Sequence, residues 1–229
     1  MAQNLPAAGS SPPTTLTTGP VVQSPQVPCC GNPYSQPANI TVHFGSPSCY
    51  TCANVTYSFS DYTKHALPAE WIASWGNSPN GMASLNFGAI AVRSYANYDI
   101  YTCKWRCQGR NFDITDDPGY DQSWSNTTYA NTDTAVANTP HFNLQDYSVD
   151  PYRPINDQYR AYTGCQSSSG GEPYLPSIRD QVQCDHGVGN YIGPGASQWG
   201  TYWWATEYSN TKEWMTSHYY TSSTSIVTM

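Results

Sequence analysis

The chain is expected to form an α+β domain, and three observations lead there. Met82, Leu85, Ala89, Val92 and Ala96 recur at steps of 3, 4, 3 and 4, the spacing of one buried helical face. Ile40, Val42 and Phe44, then Val55, Tyr57 and Phe59, alternate as half-buried strands do. Eight cysteines in a chain with only 11% charged residues point to disulfide-pinned loops in an oxidising compartment.

In chain order, residues 1–38 are rich in Pro, Ser, Thr and Gln and nearly free of charge. They are expected to be an extended arm or linker, with too few large apolar side chains to offset the entropy of folding alone. Val21, Val22 and Val27 are its expected anchors, in a neighbouring copy or along the chain's own domain. The rest, residues 39–229, reads as one domain. Its strands come first, with Gly45-Ser46-Pro47 and the Cys49-x-x-Cys52 turn between them. A buried central helix follows, with Ser78 or Asn80 as its cap and Pro79 at its first position. Glu70 is expected in the loop at the entrance of that helix. Beyond it, Thr132–Asn138, Ser197–Tyr208 and a last segment opened by Asn210-x-x-Glu213 read as helices.

Composition narrows the function. With 9 basic against 16 acidic residues and a net charge of −7, there is no basic patch for nucleic acid or an anionic membrane surface. No apolar run approaches the roughly 18 residues that a membrane helix needs. With 8 Trp and 19 Tyr, the surface suits sugar contacts or protein packing. The sequons at Asn39, Asn54 and Asn126 also fit a secreted, extracellular or surface-bound chain. Met1-Ala2-Gln3-Asn4 lacks the basic start and apolar middle of a secretory signal, so the export signal is expected to belong to a larger precursor or to be missing from this sequence.

The cysteines pair by proximity as Cys29/Cys30, Cys49/Cys52, Cys103/Cys107 and Cys165/Cys184. Eight cysteines allow 105 connectivities, so other pairings stay open, above all for the adjacent Cys29 and Cys30. A four-thiolate zinc site from Cys49, Cys52, Cys103 and Cys107 is the rival reading.

Glu70 is the candidate catalytic group. A lone carboxyl beside Trp71 and Trp75 is expected to hold its proton to higher pH, because desolvation disfavours the charged form. That prepares a general acid; the alternative is a solvated loop glutamate.

Leu67-Pro68-Ala69-Glu70-Trp71, followed by Leu85-x-x-Gly88-Ala89-Ile90-Ala91-Val92-Arg93-Ser94-Tyr95-Ala96, resembles the signature of the stage II sporulation protein D (SpoIID) family. Phe112-Asp113-Ile114-Thr115-Asp116, Thr132-Asp133-Thr134-Ala135-Val136 and Gln166-Ser167-Ser168-Ser169-Gly170-Gly171 are similar to later family segments. So are Asp185-His186-Gly187-Val188-Gly189, Ser197-Gln198-Trp199-Gly200-Thr201-Tyr202 and Trp214-Met215-x-x-His218-Tyr219-Tyr220. The segments run in family order over about 65–225.

The resemblance implies a SpoIID-like fold and a peptidoglycan lytic transglycosylase, with Glu70 as the single general acid and base. It implies glycan strands as partner and no cofactor. Arg93 then meets a lactyl or peptide carboxylate, or pairs with a buried acid. Ser168, Ser169 and Gly170 line the groove through their backbone, or form a plain turn. His186 orients Glu70 or the substrate, or is satisfied within its glycine-rich turn. Trp199, Trp203, Trp204 and Trp214 are core or sugar platform.

Two departures from the family pattern stand out. Thr115–Gln122 has neither thiol nor His where some members hold a metal, so no zinc is expected; a hard-cation site of Asp116, Asp117 and Asp121 is the alternative. The insertion Asn190–Ala196 is expected near the groove. Two other functions remain: a structural subunit that self-associates through its N-terminal arm into a homo-oligomer or filament, and a glycan-binding module without catalysis.

Overall fold

The computed structural model describes residues 35–148 and 152–229. The arm falls almost wholly outside them, as do Cys29, Cys30 and the self-association assigned to the arm. In chain order the elements are β1 (Asn39–His43), β2 (Asn54–Ser58), α1 (Phe59–Glu70), α2 (Met82–Thr102), β3 (Ile114–Thr115), α3 (Ala130–Asn138) and β4 (Phe142–Asp146). Then come β5 (Arg153–Pro154), β6 (Tyr159–Arg160), α4 (Gln181–Asp185), β7 (Ala196–Ser197), α5 (Gln198–Tyr208), α6 (Lys212–Tyr219) and β8 (Thr224–Thr228). The mixed α+β class is as expected.

Three small sheets surround α2. β1 pairs with β2 antiparallel and with β3 in parallel. β4 lies between β5 and β8, antiparallel to both. β6 and β7 form a parallel pair that joins Arg160 to Ser197.

α2 is the buried helix that the periodicity predicts, but it is buried nearly all round rather than along one stripe. Leu85, Phe87, Ile90 and Val92 are fully inaccessible; burying a side chain of that size contributes about 1.5–3 kcal/mol. Small residues let neighbours approach. A Cβ on Gly88 would lie 2.6 Å from Cδ2 of Trp71, so the indole packs directly on the helix backbone. Ser94 Oγ donates to the Ile90 carbonyl and accepts from the Leu144 N–H, both at 2.7 Å, which ties α2 to β4.

The start of α2 differs from expectation. Its N-cap is Gly81, not Ser78 or Asn80. Ser78–Gly81 forms a turn closed by the Gly81 N–H on the Ser78 carbonyl at 3.0 Å. A side chain at Gly81 would meet the Trp75 carbonyl at 2.0 Å, so only glycine fits that turn.

α1 was expected as strand and loop. β2 runs straight into it, and Ser58 is both the last strand residue and the helix cap. Ser58 Oγ accepts from the Asp61 N–H at 3.0 Å and donates to Asp61 Oδ2 at 2.8 Å. Glu70 is therefore the last residue of a helix, not a loop residue. α3, α5 and α6 fall close to expectation, although α6 is capped by Thr211 rather than Asn210; the short α4 was not expected.

Cys165–Cys184 and Cys49–Cys52 are disulfides. Cys49 and Cys52 bridge one another, so they do not supply a zinc thiolate pair. Cys103 is disulfide-bonded as well, but not to Cys107, which lies exposed four residues on. Cys103 is the cap of α2, with its backbone in the left-handed region (φ 54°). No helix among the described residues is long and apolar enough to cross a membrane.

Candidate active site

Glu70 sits at the end of α1, where Trp71 leaves the helix into extended backbone. The carboxylate meets two donors from distant parts of the chain. The Ser123 N–H donates to Oε1 at 2.7 Å, and Gln198 Nε2 donates to Oε2 at 3.3 Å. Burial pushes the Glu70 pKa up, while the backbone and side chain of Ser123 and the Gln198 amide pull it partly back. The net direction is upward, as the sequence predicts.

Both donors are held by their own neighbours. The Gln122 side chain, next to Ser123, donates to the Val92 carbonyl at 3.3 Å and to the Tyr159 hydroxyl, and accepts from the Tyr62 hydroxyl. Gln198 opens α5 directly after the cap Ser197, whose Oγ accepts from the Gly200 N–H at 2.9 Å. Trp71 lies edge-on to Tyr159 at 4.9 Å and donates to Thr201 Oγ1 at 3.3 Å. Trp71 thus supports the wall of the site rather than lining it.

Glu70 lines a cleft of about 370 Å³ with Asp121, Gln122, Asp157, Tyr159 and Arg160. The two aspartates differ in kind. Asp121 is an ion-pair anchor: it accepts from Lys104, from Trp105 Nε1 at 2.8 Å and from the Thr115 N–H at 2.7 Å. Asp157 is fully buried. Its Oδ1 accepts from the Tyr220 hydroxyl, and its Oδ2 has no partner among the described residues. Burial pushes its pKa from 3.8 to about 7.

Of the six residues expected at the site, Glu70 alone lines this cleft. Arg93 is buried on α2 and donates to the carbonyls of Thr139 at 2.6 Å and Phe142 at 3.4 Å, with no acid partner among the described residues. Burial lowers its pKa to about 10. Ser168 and Gly170 belong to a turn closed by the Ser168 N–H on the Gly193 carbonyl and the Gly170 N–H on the Leu175 carbonyl, and Ser169 lies between them. His186 stacks on Trp203 at 3.9 Å, and its Nε2 lies 2.7 Å from Glu207 Oε1, on the outer side of α5.

The insertion 190–196 does border the cleft. Gly193 packs on the Arg160 guanidinium, and a Cβ on Gly195 would lie 1.8 Å from the Gln158 carbonyl. The cleft stays open beside it. Asp116 accepts from the Gly45 N–H and Asp117 from the Gly119 N–H, so with Asp121 they form no common site. Among the described residues no group of three or more His, Cys, Asp or Glu is placed to hold a metal ion. The sequon residues Asn39, Asn54 and Asn126 are exposed, but the Asn54 amide is engaged by His43 Nδ1 at 2.7 Å and Asn111 Oδ1 at 2.6 Å.

A larger groove of about 620 Å³ lies against Pro68, Ile72, Tyr129 and Asn131. Its lining has no acid or base besides the Tyr129 phenol, so proton chemistry belongs to the Glu70 cleft.

The fold and the cleft define a class: a disulfide-stapled α+β domain with two carboxyls of raised pKa at an open cleft, Glu70 and the fully buried Asp157. No family model matches the chain, and no curated protein matches it.

Proposed function

We propose that the chain is a SpoIID-type lytic transglycosylase of peptidoglycan glycan strands, secreted or held at the cell surface, with Glu70 as its single general acid and base. The observation that carries this reading is the Glu70 carboxyl itself. It is desolvated, held by Ser123 and Gln198, and open to a cleft of about 370 Å³. A carboxyl that holds its proton to higher pH than an exposed glutamate does can donate it to a glycosidic oxygen. The carboxylate left behind then takes the proton of the 6-hydroxyl as that oxygen attacks the anomeric carbon. The bond between N-acetylmuramic acid and N-acetylglucosamine breaks, a 1,6-anhydro sugar forms, and no water is consumed.

The second cleft acid with a raised pKa, Asp157, does not turn the site into a two-carboxylate glycosidase in this reading. Both its oxygens are inaccessible and one is tied to Tyr220; a nucleophile or base must reach the sugar. Arg93 and His186 take no part in the acid step.

Digestion of purified peptidoglycan, with 1,6-anhydro-muropeptides detected by mass spectrometry, tests the proposal. Wild type is expected to release them, and Glu70→Gln to release about 10² to 10⁴ less. A wild type that yields no anhydro product overturns it.

A further inference from the structure

Two segments leave the Glu70 cleft side by side, and both run to the same aromatic patch. On one, Arg160 of the cleft rim is followed two residues later by Tyr162. On the other, Gln198 reaches Glu70 and Trp199 comes next, at about 100° around the helix and so on another face. Trp203, four residues further along α5, shares the Trp199 face. The β6–β7 pairing of Arg160 with Ser197 keeps the two segments in register, and the Trp199 N–H donates to the Ala161 carbonyl at 3.2 Å.

The three rings form a compact surface. Tyr162 and Trp199 are nearly parallel, 9° apart with centroids 6.3 Å apart. Trp203 lies 5.6 Å from Trp199 and 6.1 Å from Tyr162. All three are partly open to solvent, while the buried Trp75 braces Trp199 from behind at 4.9 Å. His186 stacks over one face of Trp203, with ring centroids 3.9 Å apart, and is hydrogen-bonded to Glu207.

We infer that Tyr162, Trp199 and Trp203 are a stacking platform for the β-linked N-acetylhexosamine rings of a glycan strand where it leaves the Glu70 cleft. The inference rests on reading that cleft as a glycan site. The C–H faces of pyranose rings stack on aromatic faces, and a braced set of rings loses little entropy on binding. His186 and Glu207 supply a donor and an acceptor at the rim for hydroxyl and acetamido groups. Bases of a single-stranded nucleic acid also stack on such rings. The densely charged phosphate backbone of a nucleic acid is disfavoured here by Glu207 beside the patch and a net charge of −7.

The test is titration of the full chain with chitohexaose, read by tryptophan fluorescence and calorimetry. Wild type is expected to bind. Trp203→Ala and Tyr162→Ala are expected to weaken binding about tenfold or more, and Trp203→Phe to keep most of it. Tyr162 lies outside α5, so its variant answers the question even where Trp203→Ala unfolds in a thermal melt.

No binding by wild type, or full binding by a folded Tyr162→Ala, overturns the platform. So does a patch that sedimentation finds buried between two copies, with Trp203→Ala monomeric. Chitohexaose binding without anhydro product sinks the Glu70 chemistry and leaves the platform standing. Anhydro product without chitohexaose binding sinks the platform alone.

Discussion

The side-chain amide of Gln198 meets the carboxylate of Glu70 at 3.3 Å, joining the last residue of α1 to the first residue of α5 across the floor of the cleft. This contact stabilises the charged form of Glu70 and holds its pKa below what burial alone would give.

Gln198→Ala is therefore expected to move the Glu70 titration to higher pH. The alkaline limb of the kcat/KM profile on glycan strands should shift up with it, and the rate should fall by about tenfold through lost positioning. NMR titration of ¹³C-labelled glutamate reads the pKa without relying on turnover. An unmoved Glu70 titration counts against the contact.

Asp157 gives stability a pH slope of known sign. Its native pKa of about 7 lies above its ordinary 3.8, so between those values the native state holds a proton that the unfolded chain has lost. Stability then falls as pH rises from about 4 to 7, on the order of 4 kcal/mol for this group. Asp157→Asn should flatten that slope, as measured by urea unfolding at pH 5 and pH 8. Glu70 acts in the same direction, so part of the slope should survive; a slope identical to wild type would rule out a buried, proton-holding Asp157.

Gly88→Ala should place a methyl group against the Trp71 indole, where a Cβ would lie 2.6 Å from Cδ2. Overpacking of this kind costs about 1–3 kcal/mol. Because Trp71 supports Tyr159, the variant should also lose activity on glycan strands. Thermal unfolding and the anhydro-sugar assay on the same sample test both effects; unchanged stability would mean that the helix and the indole separate without penalty.

Removal of the Cys165–Cys184 bridge, as Cys165→Ser with Cys184→Ser, should cost about 3 kcal/mol for a loop of this length. The bridge spans the turn that packs on Gly193, so the wall beside Arg160 should loosen. Hydrogen exchange across residues 158–170 would register it, and exchange rates equal to wild type would refute it.

Much of this was legible in the sequence where one local pattern dominated. The 3-and-4 spacing over Met82–Ala96 marks α2 because its apolar groups repeat with the helix. The carboxyl of Glu70 stands out for its apolar setting, and Cys165 and Cys184 for flanking one loop. α1 was hidden by the strand alternation Val55, Tyr57, Phe59, which continues past the true boundary, and by Pro68 inside the helix. The available signal was Ser58-x-x-Asp61, a helix start that outweighs one more alternating residue.

The misplaced site residues were judged by residue type alone. The Arg93 guanidinium is satisfied by carbonyls at the end of α3 and the start of β4, and nothing near residue 93 in the chain encodes them. His186 finds its partners on α5, 17 and 21 residues away in sequence. Gln122, Ser123 and Asp157 went unread for the same reason: each matters through a neighbour thirty or more residues distant.

The shorter of the two contacts on Glu70 comes from the peptide group of Ser123 rather than from its side chain. A mutational scan of position 123 would therefore keep the main-chain share of this hold, since every residue except proline carries the same N–H, and lose only what the serine side chain adds. What holds the carboxylate there is the path of the main chain, fixed by Gln122 one residue earlier. The main-chain share of this anchor would survive exchange of the serine and leave no trace in an alignment column.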